Sequence, residues 1–297
     1  MKNYFLGLFF LCVCFFKSNA QNESLISGLE DSTPVTQKIT GAFKSTRVIN
    51  AHSIEMLGKG NLDFRILHRF GFVSTGIKQF FGIDAASMRM SFDYGITNNI
   101  TVGIGRSTFR KEIDMFAKTR ILQQSTGPKS IPFSLVVAAG YIVHTEESFA
   151  IVKPDIADRS AYYLQTIIGR KFNSKFSMQL SPIFVHTNFP LVLTDDQDIF
   201  AIGGGLRYKV SKRTALTLDY HHPFGKLDDS YTDPLSIGID IETGGHVFQL
   251  HFSNATGMNE RAYVTQTTGD FFKGDIRFGF NLSRIFKVGK TQKQSSY

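Results

Sequence analysis

The sequence predicts an all-β fold, a transmembrane antiparallel up-and-down β-barrel of about 12 strands. Three observations predict it: long stretches with an apolar residue at every second position, short polar turns that preserve the apolar face, and an export signal at the start. A period of two indicates strands, because successive side chains on a strand point to opposite faces.

The export signal occupies residues 1–20. It combines Lys2, an apolar run over 4–16 and a small-x-Ala site ending at Ala20, so we expect cleavage near Ala20 and a mature chain that begins at Gln21. Both cysteines lie inside this signal. The mature chain is therefore predicted to lack disulfides, thiol chemistry and cysteine metal sites.

The charge balance argues against nucleic acid as a partner. Loss of Lys2 and Lys17 with the signal lowers the Lys and Arg count from 33 to 31, against 25 Asp and Glu, a net charge of +6. This excess is spread along the chain without a basic run. After residue 20 the sequence also has no apolar run long enough for a transmembrane helix, so a membrane role requires a closed barrel.

The apolar alternation also fixes the turns. Ile96 and Ile100 must face the same way, and a three-residue hairpin loop preserves the face whereas a two-residue loop would swap it. Three links share this format: Thr97-Asn98-Asn99, Asn173-Ser174-Lys175 and Ser211-Lys212-Arg213.

Strands are predicted between short turns at one rim and long polar links at the other, which is typical of outer-membrane barrels. The long links are 145–158, 187–198, 221–234 and 254–273. The predicted strands lie near 61–71, 86–96, 99–107, 112–122, 132–144, 159–172, 175–186, 198–210, 213–221, 235–242, 245–253 and 274–286.

Residues 41–57 leave an alternative of 14 strands. Their sequence, "GAFKSTRVINAHSIEML", also looks β-like and can form an extra hairpin through Asn50-Ala51, or else lie outside the wall as a plug or periplasmic segment. If the strand at 61–71 is the first, closure requires it to pair with 274–286.

The predicted organisation is a signal peptide (1–20), a flexible periplasmic lead (21–40), the β-barrel (41–286) and a basic C-terminal tail (287–297).

A soluble exported β-sandwich is the alternative fold. Strands in soluble sheets average about five to six residues. Here several strands alternate over the nine to eleven residues that a tilted strand needs to cross a bilayer. We therefore expect Met90, Phe92, Leu216 and Leu218 to face lipid.

Several sequence blocks resemble a known family. "FKSTRVIN", "LDFRILHRFG", "MRMSFDYGIT", "TVGIGRS", "HVFQLHFSN" and "DIRFGFNLSRIF" are similar to an uncharacterised outer-membrane β-barrel family, a domain of unknown function common in Bacteroidetes-type bacteria. The similarity runs from about residue 30 to residue 286. It implies a barrel in the outer membrane of a Gram-negative bacterium and implies no activity.

Polar residues on the opposite strand faces are the candidate lumen lining. They either line an anion-selective aqueous path or form a sealing network, since a barrel of eight to twelve strands has little open lumen once side chains fill it. The candidates are Asp63, Arg65, Arg69, Arg89, Asp93, Arg207, Asp219, Gln249, His251 and Arg277. Arg65, Arg69 and Arg277 would lie on one wall and repel one another unless carboxylates pair with them, and Asp63 and Asp93 are the nearest candidates.

The stretch "HFSN" is the one catalytic-looking group. His251 and Ser253 resemble the His-x-Ser-Asn of the outer-membrane phospholipase barrel, in which histidine activates serine for acyl transfer. Strand parity turns both side chains inward, whereas the phospholipase dyad faces lipid. The pattern therefore favours hydrogen bonding in the lumen over catalysis.

The function predicted from the sequence is non-enzymatic: a structural role, or narrow passage of small molecules or ions. Outer-membrane lipid and, during insertion, the barrel-assembly machinery are the expected partners of a monomer, with no nucleic acid, cofactor or metal. The alternatives are a barrel enzyme acting on lipid acyl esters through His251 and Ser253, and a soluble exported sandwich that binds a ligand.

Overall fold

Twelve long strands form one closed antiparallel barrel, which confirms the predicted fold class. This computed structural model describes residues 35–147, 154–243 and 246–288. The predicted signal peptide lies outside these residues, as do most of the predicted lead (21–34) and of the C-terminal tail (289–297). Within the described part, residues from Thr36 onward form one compact unit.

The strands follow one another around the wall in chain order. They are β1 (Asn61–Phe72), β2 (Ala86–Gly95), β3 (Ile100–Ser107), β4 (Glu112–Leu122), β5 (Ser134–His144), β6 (Ser160–Lys171), β7 (Phe176–Thr187), β8 (Asp198–Lys209), β9 (Thr214–Phe224), β10 (Leu235–Thr243), β11 (His246–Ser253) and β12 (Arg277–Lys287).

Closure occurs between β12 and β1, as predicted. Leu282 lies opposite Ile66 in this antiparallel ladder, which continues to the pair Lys287 and Asn61. The 14-strand alternative is wrong, because β12 bonds directly to β1 and leaves no edge at which 41–57 can join the wall. The wall of the predicted barrel segment 41–286 therefore begins at Asn61.

The three predicted turns share one hydrogen-bond pattern. The N–H of Ile96 donates to the carbonyl of Ile100 at 2.9 Å, and the pairs Phe172 with Phe176 and Val210 with Thr214 repeat it at 3.0 Å. One further link on this short-turn rim is longer. It joins β4 to β5 and pairs Ser125–Thr126 with Gln37–Lys38 in a two-stranded ladder.

The opposite, long-loop rim carries most of the remaining structure. It includes 3-10 turns at Val73–Gly82, Phe109–Lys111 and Phe271–Lys273, and the helix α1 (Glu260–Thr265). Among the residues that the structure describes, no helix has the length and apolar character to cross a membrane.

The outer surface of the wall is apolar. Met90, Phe92 and Leu216 are 41%, 51% and 45% exposed, while their inward neighbours Arg89, Ser91 and Ala215 are buried. Leu218 shares the outward face and is partly exposed. A sheet that closes on itself and turns its large apolar side chains outward is not a soluble sandwich, so that alternative is wrong.

Candidate functional site

The interior of the barrel is filled by two inserted segments. The first is the plug, residues 41–57, which enters from the short-turn rim; the second is the inner loop, residues 254–267, which enters from the long-loop rim. Nearly all side chains of both segments are buried. The candidate functional site is this occluded lumen.

The plug contains a tight hairpin. The N–H of Val48 donates to the carbonyl of Ala51 at 2.8 Å, the N–H of Ser53 donates to Thr46 at 2.9 Å, and Arg47 pairs with His52 between them. The turn predicted near Asn50-Ala51 therefore exists. It lies inside the barrel rather than in the wall.

Asp219 of β9 holds the tip of the hairpin. Its Oδ2 accepts three successive backbone N–H groups, from Ile49 at 3.2 Å, Asn50 at 2.7 Å and Ala51 at 2.9 Å. Such converging N–H groups form a concave anion site, here occupied by a carboxylate of the same chain. The other carboxylate oxygen lies 3.4 Å from His221 Nδ1.

Long polar side chains of the wall form further hydrogen bonds with backbone groups of the plug. Amide groups donate to three of its carbonyls: Gln249 to Val48 at 2.6 Å, Asn281 to Ile49 at 2.9 Å and Gln179 to His52 at 2.7 Å. The Lys118 ammonium donates to the carbonyls of Glu55 at 2.7 Å and Thr46 at 3.3 Å. The plug thus satisfies its buried backbone through the wall, as burial requires.

Inward-facing glycines give the plug its space. A Cβ on Gly205 would lie 2.8 Å from Val48 Cγ2, and a Cβ on Gly169 would lie 2.7 Å from Ile54 Cγ2. A larger residue at either wall position would require the plug side chain opposite it to shift or to be smaller. Gly205, the last glycine of "GGG" in β8, therefore serves close packing.

The inner loop folds around α1. Asn259 caps this helix by accepting from the N–H of Ala262 at 2.9 Å, and its amide contacts Glu112 of β4. The Arg261 guanidinium pairs with the same Glu112. Apolar side chains, including Met258, Tyr263 and Val264, are buried beside the wall. The sequence predicts a long polar link at 254–273, but residues 254–267 lie inside the barrel; the apolar residues within this link are a signal for insertion.

The two segments meet in a buried ion pair. Arg47 Nη1 of the plug lies 2.8 Å from Glu260 Oε1 of α1, and both side chains are 1% exposed. His52 Nε2 lies 3.4 Å from the same carboxylate oxygen and 3.2 Å from the Tyr163 hydroxyl. This contact joins a segment that enters from one rim to a segment that enters from the other.

The buried charges of the described interior balance. Seven cationic residues are buried, and seven carboxylates are buried with them. The cations are Arg47, Arg65, Arg69, Arg89, Lys118, Arg207 and Arg261, and the carboxylates are Asp63, Asp93, Glu112, Asp114, Asp219, Asp240 and Glu260.

The predicted lining residues of β1 and β2 occupy this network in different ways. Arg65 pairs with Asp63 at 2.6 Å, as expected, and also donates to Thr46 of the plug at 2.6 Å. Arg69 donates to the amide oxygens of Asn281 at 3.0 Å and Asn50 at 2.8 Å, so side-chain amides replace the carboxylate expected there.

The remaining predicted lining residues are also accounted for. Arg89 pairs with Asp114 at 2.9 Å, a partner that the sequence did not suggest, and Arg207 lies 3.9 Å from Asp240. Asp93, expected to form an ion pair with the arginines, is buried, and its Oδ1 has no hydrogen-bond partner among the described residues. Arg277 is partly exposed and stacks its guanidinium 3.6 Å from the Phe72 ring. Gln249, another predicted lining residue, donates to the carbonyl of Val48 in the plug, as described above.

His251 and Ser253 are both buried on the inward face. Ser253 Oγ accepts from the Ser236 hydroxyl at 2.7 Å and from the N–H of Ala255 at 3.1 Å. The His251 ring contacts Gly279, and neither ring nitrogen has a hydrogen-bond partner among the described residues. No described hydrogen bond joins the imidazole to the serine hydroxyl. In the described parts of the chain, no cluster of three His, Cys, Asp or Glu residues is placed to hold a metal ion.

The long-loop rim covers the inner loop. Asp195 accepts from the N–H of Asp228 at 2.8 Å, and Asp196 accepts from the N–H of Lys226 at 2.6 Å, so two links are fastened together. Burial raises the pKa of the Asp195 carboxyl above its ordinary value, although the N–H of Asp228 opposes this rise. On the opposite side, a cavity of about 110 Å³ remains between the plug and the wall near Ser283.

A closed twelve-stranded wall, an apolar outer surface and a charge-balanced, filled interior define a membrane-spanning β-barrel of the outer-membrane type. The chain belongs to the family described as membrane bound beta barrel domain (DUF5777), whose model matches residues 43–286. This match confirms the family resemblance of the sequence blocks. No curated protein matches the sequence.

Solved structures of two porins and of one outer membrane protein are similar in outline. The chain is 9% identical to the NanC porin over 77% of this chain and 100% of that one, with a TM-score of 0.49. The KdgM porin is 9% identical over 76% and 99%, with a TM-score of 0.47. Omp33 of Acinetobacter baumannii is 8% identical over 77% and 99%, with a TM-score of 0.44. Likeness at these scores carries no information about substrate.

Proposed function

We propose that the protein is a non-enzymatic barrel of the Gram-negative outer membrane, reached after signal-peptide cleavage near Ala20, which passes small hydrophilic solutes or ions. The plug is its gate, and the conformation described above is the closed state. Outer-membrane lipid surrounds the barrel, the barrel-assembly machinery inserts it, and it works as a monomer. The proposal rests on one observation: polar side chains of the wall bind the backbone of the plug.

Topology permits the plug to leave. The plug is preceded by the ladder at Gln37–Lys38 and followed by β1, which begins at Asn61, and both lie at the short-turn rim. A hairpin whose two ends emerge at the same rim can withdraw toward the periplasm without threading chain through the barrel.

The chemistry of the contact also permits withdrawal. The wall groups that bind the plug are carboxylate, amide, ammonium, guanidinium and hydroxyl groups, and water can satisfy each of them once the plug has left. A plug held only by apolar packing would instead expose a dry surface. The plug also makes apolar contacts. Ala51 joins the larger apolar cluster of the interior, and a smaller cluster combines plug and wall residues: Ala42, Phe43, Val48, Ile54, Val136 and Ile167.

The open lumen is expected to show weak ion selectivity. Without Arg47 of the plug, six buried cations face seven carboxylates on the wall and the inner loop. Such a mixed lining has no strong net charge, so the anion-selective path considered from the sequence is less favoured than a nearly unselective one.

A reducible tether tests the gate. The double variant V48C/G205C places two cysteines where the Gly205 Cβ position lies 2.8 Å from Val48 Cγ2, close enough for a disulfide in a mature chain with no other cysteine. Currents are recorded in planar bilayers while urea is raised stepwise on the short-turn side to loosen the plug. We expect reversible openings in the reduced protein and none in the oxidised protein.

The reduced protein is the matched control, because it has the same sequence and the same wall. Equal currents in both redox states would show that solutes bypass the plug. No openings in either state, with the barrel still folded by its heat-dependent gel mobility, would rule out passage and leave a structural role.

A further inference from the structure

The described surface has strongly asymmetric charge. On the short-turn rim, nine cationic side chains are exposed, whereas the described carboxylates of that rim, Glu55 and Glu242, are only partly exposed. All exposed carboxylates of the described residues lie on the long-loop side: Asp84, Glu146, Glu147, Asp155, Asp158, Asp196, Asp198 and Asp229. The exposed cations of the short-turn rim are Lys38, Lys59, Lys129, Arg170, Lys175, Lys212, Arg213, Arg284 and Lys287.

Part of this basic rim faces the lipid. Arg170 and Arg284 lie on outward strand faces, with their guanidinium groups 5.4 Å from the Phe172 ring and 4.8 Å from the Phe286 ring. Aromatic side chains beside basic ones at strand ends are typical of the membrane–water interface. The rim is therefore placed at the depth of the lipid headgroups in the adjacent leaflet.

One cavity on this rim collects three of the positive charges. It has a volume of about 240 Å³ and is lined by Lys38 of the short ladder, Arg120 of β4 and Lys129 of the β4–β5 link. None of its lining residues is acidic. The Arg120 Nε is buried and has no hydrogen-bond partner among the described residues.

The same cavity has an apolar side. Ile121, Leu122 and Ile131 line it, and Ile121 is 56% exposed on the outward face of β4. The carboxylate of Glu55 does not line the cavity and accepts instead from the backbone N–H groups of Ala42 at 2.7 Å and Phe43 at 3.2 Å. Positive groups beside an apolar surface that continues onto the lipid face match an amphiphile with an anionic head.

We infer that this cavity binds the phosphate group of an anionic phospholipid from the leaflet at the short-turn rim, with Lys38, Arg120 and Lys129 around the phosphate and the start of an acyl chain along Ile121. This site is separate from the gate, because no residue of the plug lines it. Three cations with unused donors favour a phosphate over a neutral headgroup.

The test is lipid titration of the full mature chain in detergent, followed by native mass spectrometry, with phosphatidylglycerol and phosphatidylcholine as probes. The wild type is expected to bind phosphatidylglycerol more tightly. Each removed cation is expected to weaken that binding about fivefold, so the variants R120Q/K129Q and K38Q/K129Q should each lose about 25-fold. The second variant changes only exposed lysines, which keeps the test valid if Arg120 is needed for folding.

The control variant K175Q/K212Q removes two exposed lysines of the same rim that lie outside the cavity, and it should bind as the wild type does. Equal binding of the two lipids would overturn the assignment, as would an equal loss in the control, which would indicate diffuse attraction to the whole rim. Displacement of the lipid by inorganic phosphate at comparable concentration would show that the ligand is a soluble anion and would also overturn it.

Discussion

Replacing Asp219 by alanine removes the carboxylate that holds the tip of the plug. In the native barrel a single oxygen of Asp219 accepts the N–H groups of Ile49, Asn50 and Ala51. An alanine leaves all three donors buried beside the wall without their acceptor. The plug would then have to keep these unsatisfied groups or leave the lumen.

The expected size of the effect follows from the three lost bonds. An unsatisfied buried donor costs about 1–3 kcal/mol, and the lower limit for three donors gives about 3 kcal/mol against the docked plug. Since 1.4 kcal/mol corresponds to a factor of ten, the undocked population should rise roughly a hundredfold. Asp219→Asn should have a smaller effect, because an amide oxygen can still accept although the charge is lost.

Cysteine alkylation measures this population. Ile49 is 0% exposed, so Ile49→Cys in the otherwise cysteine-free mature chain is alkylated only when the plug leaves its site. The rate should rise about a hundredfold with Asp219→Ala, relative to a freely exposed cysteine at Ser211. Thr217→Ala is the matched control, because Thr217 lies on the same inward face and its hydroxyl has no described hydrogen-bond partner. Equal acceleration by Asp219→Ala and Thr217→Ala would refute the anchoring role.

Two further predictions concern the plug–loop contact and the closure of the wall. Glu260→Gln should lower the free energy of unfolding by about 3–5 kcal/mol, because it leaves Arg47 buried without its partner. The double variant R47M/E260L should recover at least half of that loss. Urea unfolding of the wild type and the two variants checks this, and a larger loss in the double variant than in Glu260→Gln would show that the pair is not coupled. Cysteines at Ile66 and Leu282, which are register partners, should cross-link readily on oxidation, whereas Ile66 with Phe280, two residues out of register, should not; the opposite preference would mean that the closing register is shifted.

The turns and strand faces could be predicted because they depend on local pattern. Ile96 and Ile100 must share a face whatever surrounds them, and that requirement alone sets the three-residue link between them. The same argument gave Arg89 and Asp93 an inward face and Met90 and Phe92 an outward face. Closure between β1 and β12 followed from the rule that a barrel leaves no free edge.

The ion pairs of the interior could not be predicted in the same way. Arg65 and Asp63 are two residues apart on one strand, so their pairing could be expected from sequence. Arg89 and Asp114 lie on β2 and β4, the two neighbours of β3 in the wall. The guanidinium reaches across β3 to the carboxylate because Gly105 of β3 leaves room for it. Such contacts depend on side-chain length and on the space that inward glycines leave.

The sequence by itself predicted an export signal, and it determined that the chain forms a barrel of about 12 strands and which face of each strand is turned outward. Only the tertiary structure decided where residues 41–57 and 254–267 lie. A segment packed inside a barrel can carry the same apolar and polar residue types as a strand or loop of the wall, because both are buried against other parts of the chain. The choice between wall and lumen depends on partners distant in sequence: Asp219 for the plug tip, and Glu260 for Arg47.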